Sequence, residues 1–251
     1  MPVRVVQLTD LHLKARPGDK SRGVDVWAAL RAVLDQVSVH NPACLIVTGD
    51  LAADPRTTTY RSLKDLLGSW TDVQVLPGNH DDREAVRVVF GLGPKPSIGF
   101  ALNVAGWRLI GLDTTRPGRV HGQIDAQQMT WLESELDRCP EPVMLFMHHP
   151  PFRIGTWWLD KDLIRGVKSL EQVLDRSGRV RAIFCGHVHQ ESQGCFADAE
   201  VFTTPSTAYQ FRPGAWLPAR LGDELPGFRV IDLDPGAFET RVIRVGGEAV
   251  V

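Results

Sequence analysis

The chain carries little net charge and contains no long hydrophobic run. Over 251 residues its formal charge is −2 and its isoelectric point is near 6.4, so no overall basic field attracts polyanions. We find no Lys/Arg cluster suited to a nucleic-acid backbone, so a nucleic-acid polymer is a poor candidate substrate. No apolar run is long enough to span a bilayer, and we therefore expect no membrane partner.

Cysteine is scarce and scattered. Of the four cysteines, Cys44 and Cys185 lie inside apolar runs, where a small buried side chain is expected. This favours a reducing compartment over a disulfide framework. The chain enters the strand-like run 3–8 directly, without the basic and apolar regions of a signal peptide. We therefore expect a cytoplasmic protein.

Hydrophobic residues make up 43% of the chain, enough for the core of one α/β domain. No repeat or linker divides it, so a single domain over 1–251 is predicted. Short apolar runs alternate with amphipathic helical stretches, which is typical of βα units on a largely parallel sheet. The predicted strands are 3–8, 43–48, 72–76, 107–112, 142–147 and 180–185.

Two helices can be predicted in more detail. One has an apolar stripe at three- and four-residue steps, as in a helix that packs on a sheet. The residues of this stripe are Val24, Trp27, Leu30, Leu34 and Val37. For the second helix, Asp125 is predicted to cap the first turn and Gln128 to reach back to the cap. Ile124 is expected to pack on Met129.

The pattern changes after about residue 194. The strand-like runs 199–204, 228–233 and 240–245 follow one another without a helical stretch, so they predict antiparallel strands. The last two are joined by 234–238, where proline fixes one φ and glycine permits a positive one. An antiparallel edge here could pair between subunits, which allows a homo-oligomer. The predicted fold is an α/β four-layer α-β-β-α sandwich, with two mixed sheets flanked by helices.

Residue types that bind metals follow several of the predicted strands. In open α/β sheets the ligand crevice lies beyond the carboxyl ends of the strands, so these segments are expected to converge. The segments are 9–12, 48–50, 77–81, 147–151 and 185–189. In the first and last, residues two apart share one side of an extended chain, while Leu11 and Val188 turn into the core. The side chains expected to face an ion are Asp10, His12, His187 and His189.

The other three segments combine ligand types with glycine or proline. Gly49 allows a close backbone approach beside Asp50, whose carboxylate offers two oxygens. Gly78 permits a sharp turn that presents Asn79, a neutral oxygen ligand. Prolines end the strand directly after His148 and its neighbour.

Each short motif is weak evidence by itself, because an Asp-x-His or Gly-Asp pair often occurs in a loop by chance. Gly-His-x-His after an apolar run is more specific, since two imidazoles at a strand end have little packing value. Five such segments, each after a predicted strand, indicate a metal centre. His40 and His121 are interpreted instead as surface or loop histidines.

The motifs as a series resemble the calcineurin-like metallophosphoesterase superfamily, over residues 3 to about 190. The series is Asp10-x-His12, Gly49-Asp50, Gly78-Asn79-His80-Asp81, His148-His149 and Gly186-His187-x-His189. Segments 157–160 and 204–211 are similar to those of the bacterial class III cyclic nucleotide phosphodiesterases, with glycerophosphodiesterases as close relatives.

The resemblance implies two divalent metal ions joined by a bridging hydroxide. The implied ligands are Asp10, His12 and His189 for one ion, Asn79, His148 and His187 for the other, and Asp50 as the bridge. Mixed imidazole, carboxylate and amide ligands suit Fe, Mn, Zn or Co. Asp50 and His80 are the implied catalytic residues, with His80 contacting the phosphate. Asp81 could orient a nearby group, and His149 could support a ligand rather than be one.

These features predict a metal-dependent phosphoric diester hydrolase. Two divalent ions, two carboxylates and a hydroxide leave about one net positive charge, which favours a phosphodiester anion. The arginines that protein phosphatases of the superfamily carry near the second and third motifs are absent here. The expected substrates are small phosphodiesters, above all 3',5'-cyclic nucleotides such as cAMP. The alternatives are a glycerophosphodiesterase or broad-specificity phosphodiesterase, and a non-enzymatic metal-binding scaffold.

Overall fold

Two β-sheets lie face to face at the centre of the computed structural model, which describes residues 2–92 and 98–246. The predicted domain of 1–251 also includes 1, 93–97 and 247–251, which lie outside the described residues. The strands are β1 (Val3–Leu8), β2 (Lys20–Ser21), β3 (Val24–Asp25), β4 (Cys44–Thr48), β5 (Val73–Leu76), β6 (Phe100–Val104), β7 (Trp107–Leu112), β8 (Val143–Met147), β9 (Val180–Cys185), β10 (Ser192–Phe196), β11 (Ala199–Thr203), β12 (Gly227–Asp234) and β13 (Ala237–Arg244).

Five helices of the described chain accompany these strands. They are α1 (Val26–Val39), α2 (Thr57–Leu67), α3 (Arg83–Phe90), α4 (Ala126–Arg138) and α5 (Val167–Ser177). Within the described ranges, none combines the length and the hydropathy needed to cross a bilayer.

Both sheets are mixed, as predicted. The first has the strand order β13-β12-β1-β4-β5, with β1, β4 and β5 parallel and β12 antiparallel to β1. The second has the order β10-β11-β9-β8-β7-β6, with β7, β8, β9 and β11 parallel. The parallel strands at the centre of each sheet therefore end on one side, where the loops that follow them can meet.

Three apolar clusters define the layers. The cluster between the sheets contains Ile46 from the first sheet and Phe146 from the second. A second cluster joins the outer face of the first sheet to α1, α2 and α3 through residues such as Leu30. A third joins the second sheet to α4 and α5, for example through Leu132. This arrangement confirms the predicted four-layer α-β-β-α sandwich.

The two predicted helices form, with local differences. Asp25 caps α1 by accepting hydrogen bonds from two backbone N–H groups, and Val24 belongs to β3 instead of the helix. Asp125 caps α4 as predicted, accepting from the Gln128 N–H at 2.8 Å. The prediction that Gln128 reaches back to the cap is wrong. The Gln128 side-chain amide instead hydrogen-bonds to both the backbone N–H and the carbonyl of Asp113, each at 2.6 Å. These backbone groups are buried and have no water to bond, whereas an exposed helix cap does.

The strands after residue 194 are only partly antiparallel. β12 and β13 form the predicted hairpin. β11, however, pairs in parallel with β9 as well as antiparallel with β10, so 199–204 extends the parallel part of the second sheet. β6 was not predicted, since its residues are mostly half-buried and show no clean alternation.

Candidate metal centre

The loops after β1, β4, β5, β8 and β9 converge at the carboxyl ends of both sheets. The loop after β1 runs beside the loop after β4, with the Asp10 N–H bonded to the Gly49 carbonyl at 3.0 Å and the His12 N–H bonded to the Asp50 carbonyl at 2.9 Å. In the second sheet, the Gly186 N–H bonds the His148 carbonyl at 3.0 Å. These bonds bring side chains from distant parts of the chain to one place.

The backbone at this site is not extended, contrary to the geometry we assumed from the two-apart spacing. Five of the predicted ligands have positive φ: Asp10 (53°), His12 (48°), Asp50 (50°), His187 (70°) and His189 (50°). Left-handed residues that are not glycine are strained and concentrate at functional sites. Leu11 and Val188 are nevertheless fully buried, as predicted.

Glycines allow the loops to approach closely. A Cβ on Gly49 would lie 2.6 Å from Nδ1 of His148, which confirms the predicted close approach. A Cβ on Gly78 would lie 2.2 Å from the Asp50 backbone nitrogen. Position 78 therefore requires glycine because of this close contact. Gly78 does not have the positive φ that we expected for a sharp turn.

Asp10, His12 and His189 form one tight group, whose ligand atoms all lie within 4.8 Å of one another. Nε2 of His189 lies 2.9 Å from Nε2 of His12 and 3.3 Å from Oδ1 of Asp10. The other nitrogen of His189 donates to the Tyr209 carbonyl at 2.7 Å, which directs its Nε2 lone pair into the group. Asp10 Oδ2 accepts from the His187 N–H and the Thr9 hydroxyl, whereas Oδ1 is buried with no hydrogen-bond partner.

His148, Asn79 and His187 form a second group. Nδ1 of His148 donates to the Thr48 carbonyl at 2.8 Å, so Nε2 faces the site. This Nε2 lies 3.2 Å from Oδ1 of Asn79 and 3.5 Å from Oδ1 of Asp50. His187 packs edge-on against His148, and its Nε2 is buried without a partner.

Asp50 lies between the two groups. Its Oδ2 is 3.7 Å from Nε2 of His12 and its Oδ1 is 3.5 Å from Nε2 of His148. Oδ1 also accepts from the His80 N–H at 2.9 Å, and Nε2 of His80 is 4.0 Å from Oδ2. The His80 side chain is 53% exposed, so it forms the open edge of the site.

The charges of these groups suit cation binding. Burial lowers the pKa of His12 and of His187 to about 3, so both imidazoles are neutral and keep a lone pair. Burial raises the pKa of Asp50, but the charge of His148 outweighs it and holds the pKa well below the usual range. Burial lowers the pKa of His148, and the Asp50 charge reverses this and raises it to about 9. A cation beside Asp50 would take the place of that proton.

His149 and Asp81 adjoin the two groups, and a ring nitrogen of His149 lies within 4.8 Å of ring nitrogens of His148 and His187. Nε2 of His149 lies 2.8 Å from the Val120 carbonyl and Nδ1 lies 2.7 Å from the Thr114 hydroxyl, so both ring nitrogens already have partners. The Asp81 carboxylate accepts from the Leu51, Ala52 and Gly78 N–H groups and ties the loop after β4 to the loop after β5. Burial, and then the Asp50 charge, raise the pKa of Asp81 to about 7.

A cavity of about 150 Å³ opens over the two groups. Besides predicted ligands, its walls include Trp158 from segment 157–160 and Tyr209 and Phe211 from segment 204–211. Arg22 also lines it and was missed, because it lies in the turn between two strands of only two residues each. A separate cavity of about 450 Å³ shares only Asn79 with it, and Asn79 is the one predicted ligand in that larger lining.

His40 and His121 belong to none of the groups that could hold a metal in the described chain. Both lie outside the strands and helices, with His40 half-exposed. His121 is a loop residue as predicted, but only 8% of it is exposed, so it is not on the surface.

A model of the calcineurin-like phosphoesterase family matches residues 3–191. The chain belongs to this family, and the prediction of a phosphoesterase is confirmed. This chain is 31% identical to a 3',5'-cyclic-nucleotide phosphodiesterase of Nostoc sp., and the alignment covers 98% of this chain and 93% of that protein. It is 32% identical to the 3',5'-cyclic adenosine monophosphate phosphodiesterase CpdA of Escherichia coli K12, over 97% of this chain and 90% of that protein.

Solved structures show the same fold. A dimetal phosphatase from Danio rerio superposes with a TM-score of 0.70 at 15% identity, covering 98% of this chain and all of that one. A purple acid phosphatase from yellow lupin reaches 0.74 at 11% identity, over 98% of this chain and 52% of that one. At these identities the likeness concerns the fold alone.

Proposed function

We propose that the protein is a binuclear metal-dependent phosphodiesterase that hydrolyses small phosphodiesters, above all 3',5'-cyclic nucleotides such as cAMP. Relatives that align with nearly the whole chain are named as cyclic-nucleotide phosphodiesterases. Identities near 30% support the substrate class more than the particular nucleotide.

The observation that carries the proposal is a pair of buried atoms without partners on either side of Asp50. Asp10 Oδ1 and His187 Nε2 are two of the four buried side-chain nitrogen and oxygen atoms in the described residues that lack a hydrogen bond. Leaving such an atom unsatisfied costs about 1–3 kcal/mol, and more when it is charged. A cation on each side of Asp50 would satisfy both atoms, so the donor set fits two ions.

We assign Asp10, His12 and His189 to one ion, Asn79, His148 and His187 to the other, and Asp50 to both. The Nδ1 contacts of His148 and His189 with carbonyls leave Nε2 as the ligand atom, an arrangement typical of metal-binding histidines. No thiolate is present among these ligands, so ions such as Fe, Mn, Zn or Co suit the site better than a soft cation.

The residues divide the chemistry between them. When bound, the two ions would offset phosphoryl charge and lower the pKa of a water they share to about 7. Asp50 holds the His80 backbone in place by accepting a hydrogen bond from its N–H. His80 would donate a proton to the leaving oxygen, because its exposed ring is free to meet the ester group that points away from the ligands.

The surroundings of Asp50 and His80 support a diester over a monoester. After Asp50 the chain continues with Leu51 and Ala52, which are fully buried. After His80 it continues with Asp81, whose carboxylate is used on backbone N–H groups. Arg83, three residues beyond His80, is paired with the buried Asp113 carboxylate, so no arginine of these two segments is available to balance the second charge of a phosphomonoester.

We also propose a cytoplasmic location. All four cysteines are free, and Cys44, Cys139 and Cys185 are buried. Such usage is typical of a reducing compartment.

The test is turnover with added Mn²⁺ of bis(p-nitrophenyl) phosphate, cAMP, cGMP and glycerophosphodiesters, with Asp50→Ala as the control. We expect turnover of the cyclic nucleotides that is lost on chelation and in the control. Faster hydrolysis of glycerophosphodiesters than of cyclic nucleotides would favour that alternative instead. Two bound ions without turnover of any diester would favour the scaffold.

A further inference from the structure

The cavity over the metal centre is too small for a whole nucleotide. Its volume is about 150 Å³, whereas pockets that enclose drug-sized ligands measure about 300 Å³ or more. The floor consists of the predicted ligands, so a phosphoryl group would occupy it. The nucleoside of a substrate must then lie across the rim, where Arg22, Val120, Trp158 and Asp162 meet.

Arg22 is held in place on this rim. Its guanidinium carbon lies 5.6 Å from the centre of the Tyr209 ring and 5.5 Å from that of Phe211, within the range of cation–π contacts. Both aromatic residues are more than nine-tenths buried and pack on the ring of His189. The guanidinium is therefore anchored to the metal centre, while the residue as a whole is exposed.

Asp162 gives the same rim a negative charge. In the described part of the chain, neither Arg22 nor Asp162 enters an ion pair, although both line the one cavity. Val120 and Trp158 add apolar surface to the same rim, with Val120 51% exposed. A flat ligand with hydrogen-bond acceptors on one edge and donors on another matches this rim.

Guanine has that pattern. Its O6 and N7 accept two hydrogen bonds from an arginine fork, whereas adenine places an amino donor where O6 would be. The N1–H and N2–H groups of guanine can both donate to one carboxylate, while adenine offers its amino group alone. Each charged residue can therefore make two bonds to guanine for one to adenine.

We propose that Arg22 and Asp162 form a nucleobase subsite that selects guanine over adenine. This inference rests on the proposed phosphodiesterase function and ranks its cyclic-nucleotide substrates, with cGMP preferred to cAMP. Arg22 is a specificity-determining residue in this account, and it takes no part in the chemical step.

Calorimetric titration of the manganese-loaded protein with 5'-GMP and 5'-AMP tests the subsite without requiring turnover. A good bidentate pair discriminates between bases by about 1–3 kcal/mol, so we expect GMP to bind about tenfold more tightly than AMP. Arg22→Met should weaken GMP binding about tenfold and change AMP binding less than about threefold. Lys20→Met, an exposed change on the same hairpin, is the matched control and should behave as wild type.

Turnover gives an independent reading. Arg22→Met should lower the ratio of kcat/KM for cGMP to kcat/KM for cAMP. The change should come from a higher KM for cGMP, with kcat within about twofold of wild type. Arg22→Lys should recover only part of the ratio, because lysine lacks the two parallel N–H donors of the guanidinium. Equal binding of the two nucleotides by wild type, or an equal loss of both in Arg22→Met, would overturn the subsite. If wild type hydrolyses no diester, the proposed function fails, and the calorimetric comparison still decides the subsite.

Discussion

Nε2 of His12 and Nε2 of His189 lie 2.9 Å apart, although the two residues are separated by most of the chain. Such a pair shares either a proton or a cation. Burial lowers the pKa of His12 to about 3, so its imidazole is neutral at pH 7 and can fill this contact with a proton only as the Nε2–H tautomer, donating to His189. Asp10 Oδ1, 3.3 Å from the same His189 nitrogen, has no hydrogen bond. The geometry therefore favours a cation between them.

Removing metal should destabilise the protein. Ligand binding to the folded state contributes about 2.7 kcal/mol at a free concentration one hundred times the Kd. For a chain of this size that corresponds to roughly 5–10 °C in Tm. We expect Mn²⁺ to raise the Tm of chelator-treated protein by this amount in a calorimetric scan, and Ca²⁺, which prefers all-oxygen sites, to raise it much less.

Asp50→Ala should abolish metal-dependent turnover, because Asp50 contacts both ligand groups. Metal analysis of the purified variant should find fewer than two ions per chain. Activity equal to that of wild type at saturating Mn²⁺ would contradict the bridging role of Asp50.

His80→Ala should keep both ions and lose activity only in part. The His80 side chain lies at the exposed edge of the site and is not an assigned ligand, so both ions should remain. Loss of a proton donor typically lowers kcat by about 10²–10⁴-fold. Steady-state kinetics alongside metal analysis separates this result from that of Asp50→Ala. A His80→Ala protein with wild-type kcat would rule out its role as the acid.

Gly78→Ala should destabilise the protein, because the added Cβ would lie 2.2 Å from the backbone nitrogen of Asp50. Overpacking of this kind costs about 1–3 kcal/mol, measurable by denaturant unfolding. Gly222→Ala is the matched control, since its nearest contact would be an ordinary 3.4 Å. Equal stability of the two variants would show that the loop after β5 can move away without cost.

His149→Ala should retain two ions at saturating Mn²⁺ while lowering the free energy of unfolding. The buried Thr114 hydroxyl would lose its partner, at a cost of about 1–3 kcal/mol, whereas the carbonyl of the exposed Val120 would lose less because water can replace His149 there. His148→Ala, the neighbouring ligand, should instead lose an ion. Loss of an ion from His149→Ala would make His149 a ligand after all.

The sequence was sufficient to predict the layers, which follow from apolar runs alternating with amphipathic helices, and the meeting of the loops, which follows from ligand residues placed directly after the strands. It predicted the wrong reason for the Asp10 and His12 pairing, which depends on a left-handed backbone that only the surrounding loops impose. Gln128 was misread since its partner, Asp113, comes from a different element. Local patterns cannot reveal bonds of that kind.

Arg22 illustrates the same limit in the binding site. Nothing in the run Lys20-Ser21-Arg22-Gly23 marks it as functional. Its role depends on Tyr209 and Phe211, which the fold brings within 6 Å of its guanidinium from almost two hundred residues away. Long-range packing decides which exposed charge becomes part of a site.

The most direct test is anomalous diffraction from a crystal grown with excess manganese, collected at the manganese edge. We predict two peaks. One should lie within bonding distance of Asp10, His12 and His189, and the other within bonding distance of Asn79, His148 and His187. The Asp50 carboxylate should contact both. A map with no peak in this cavity, or with these side chains turned away from a single peak, would contradict the account.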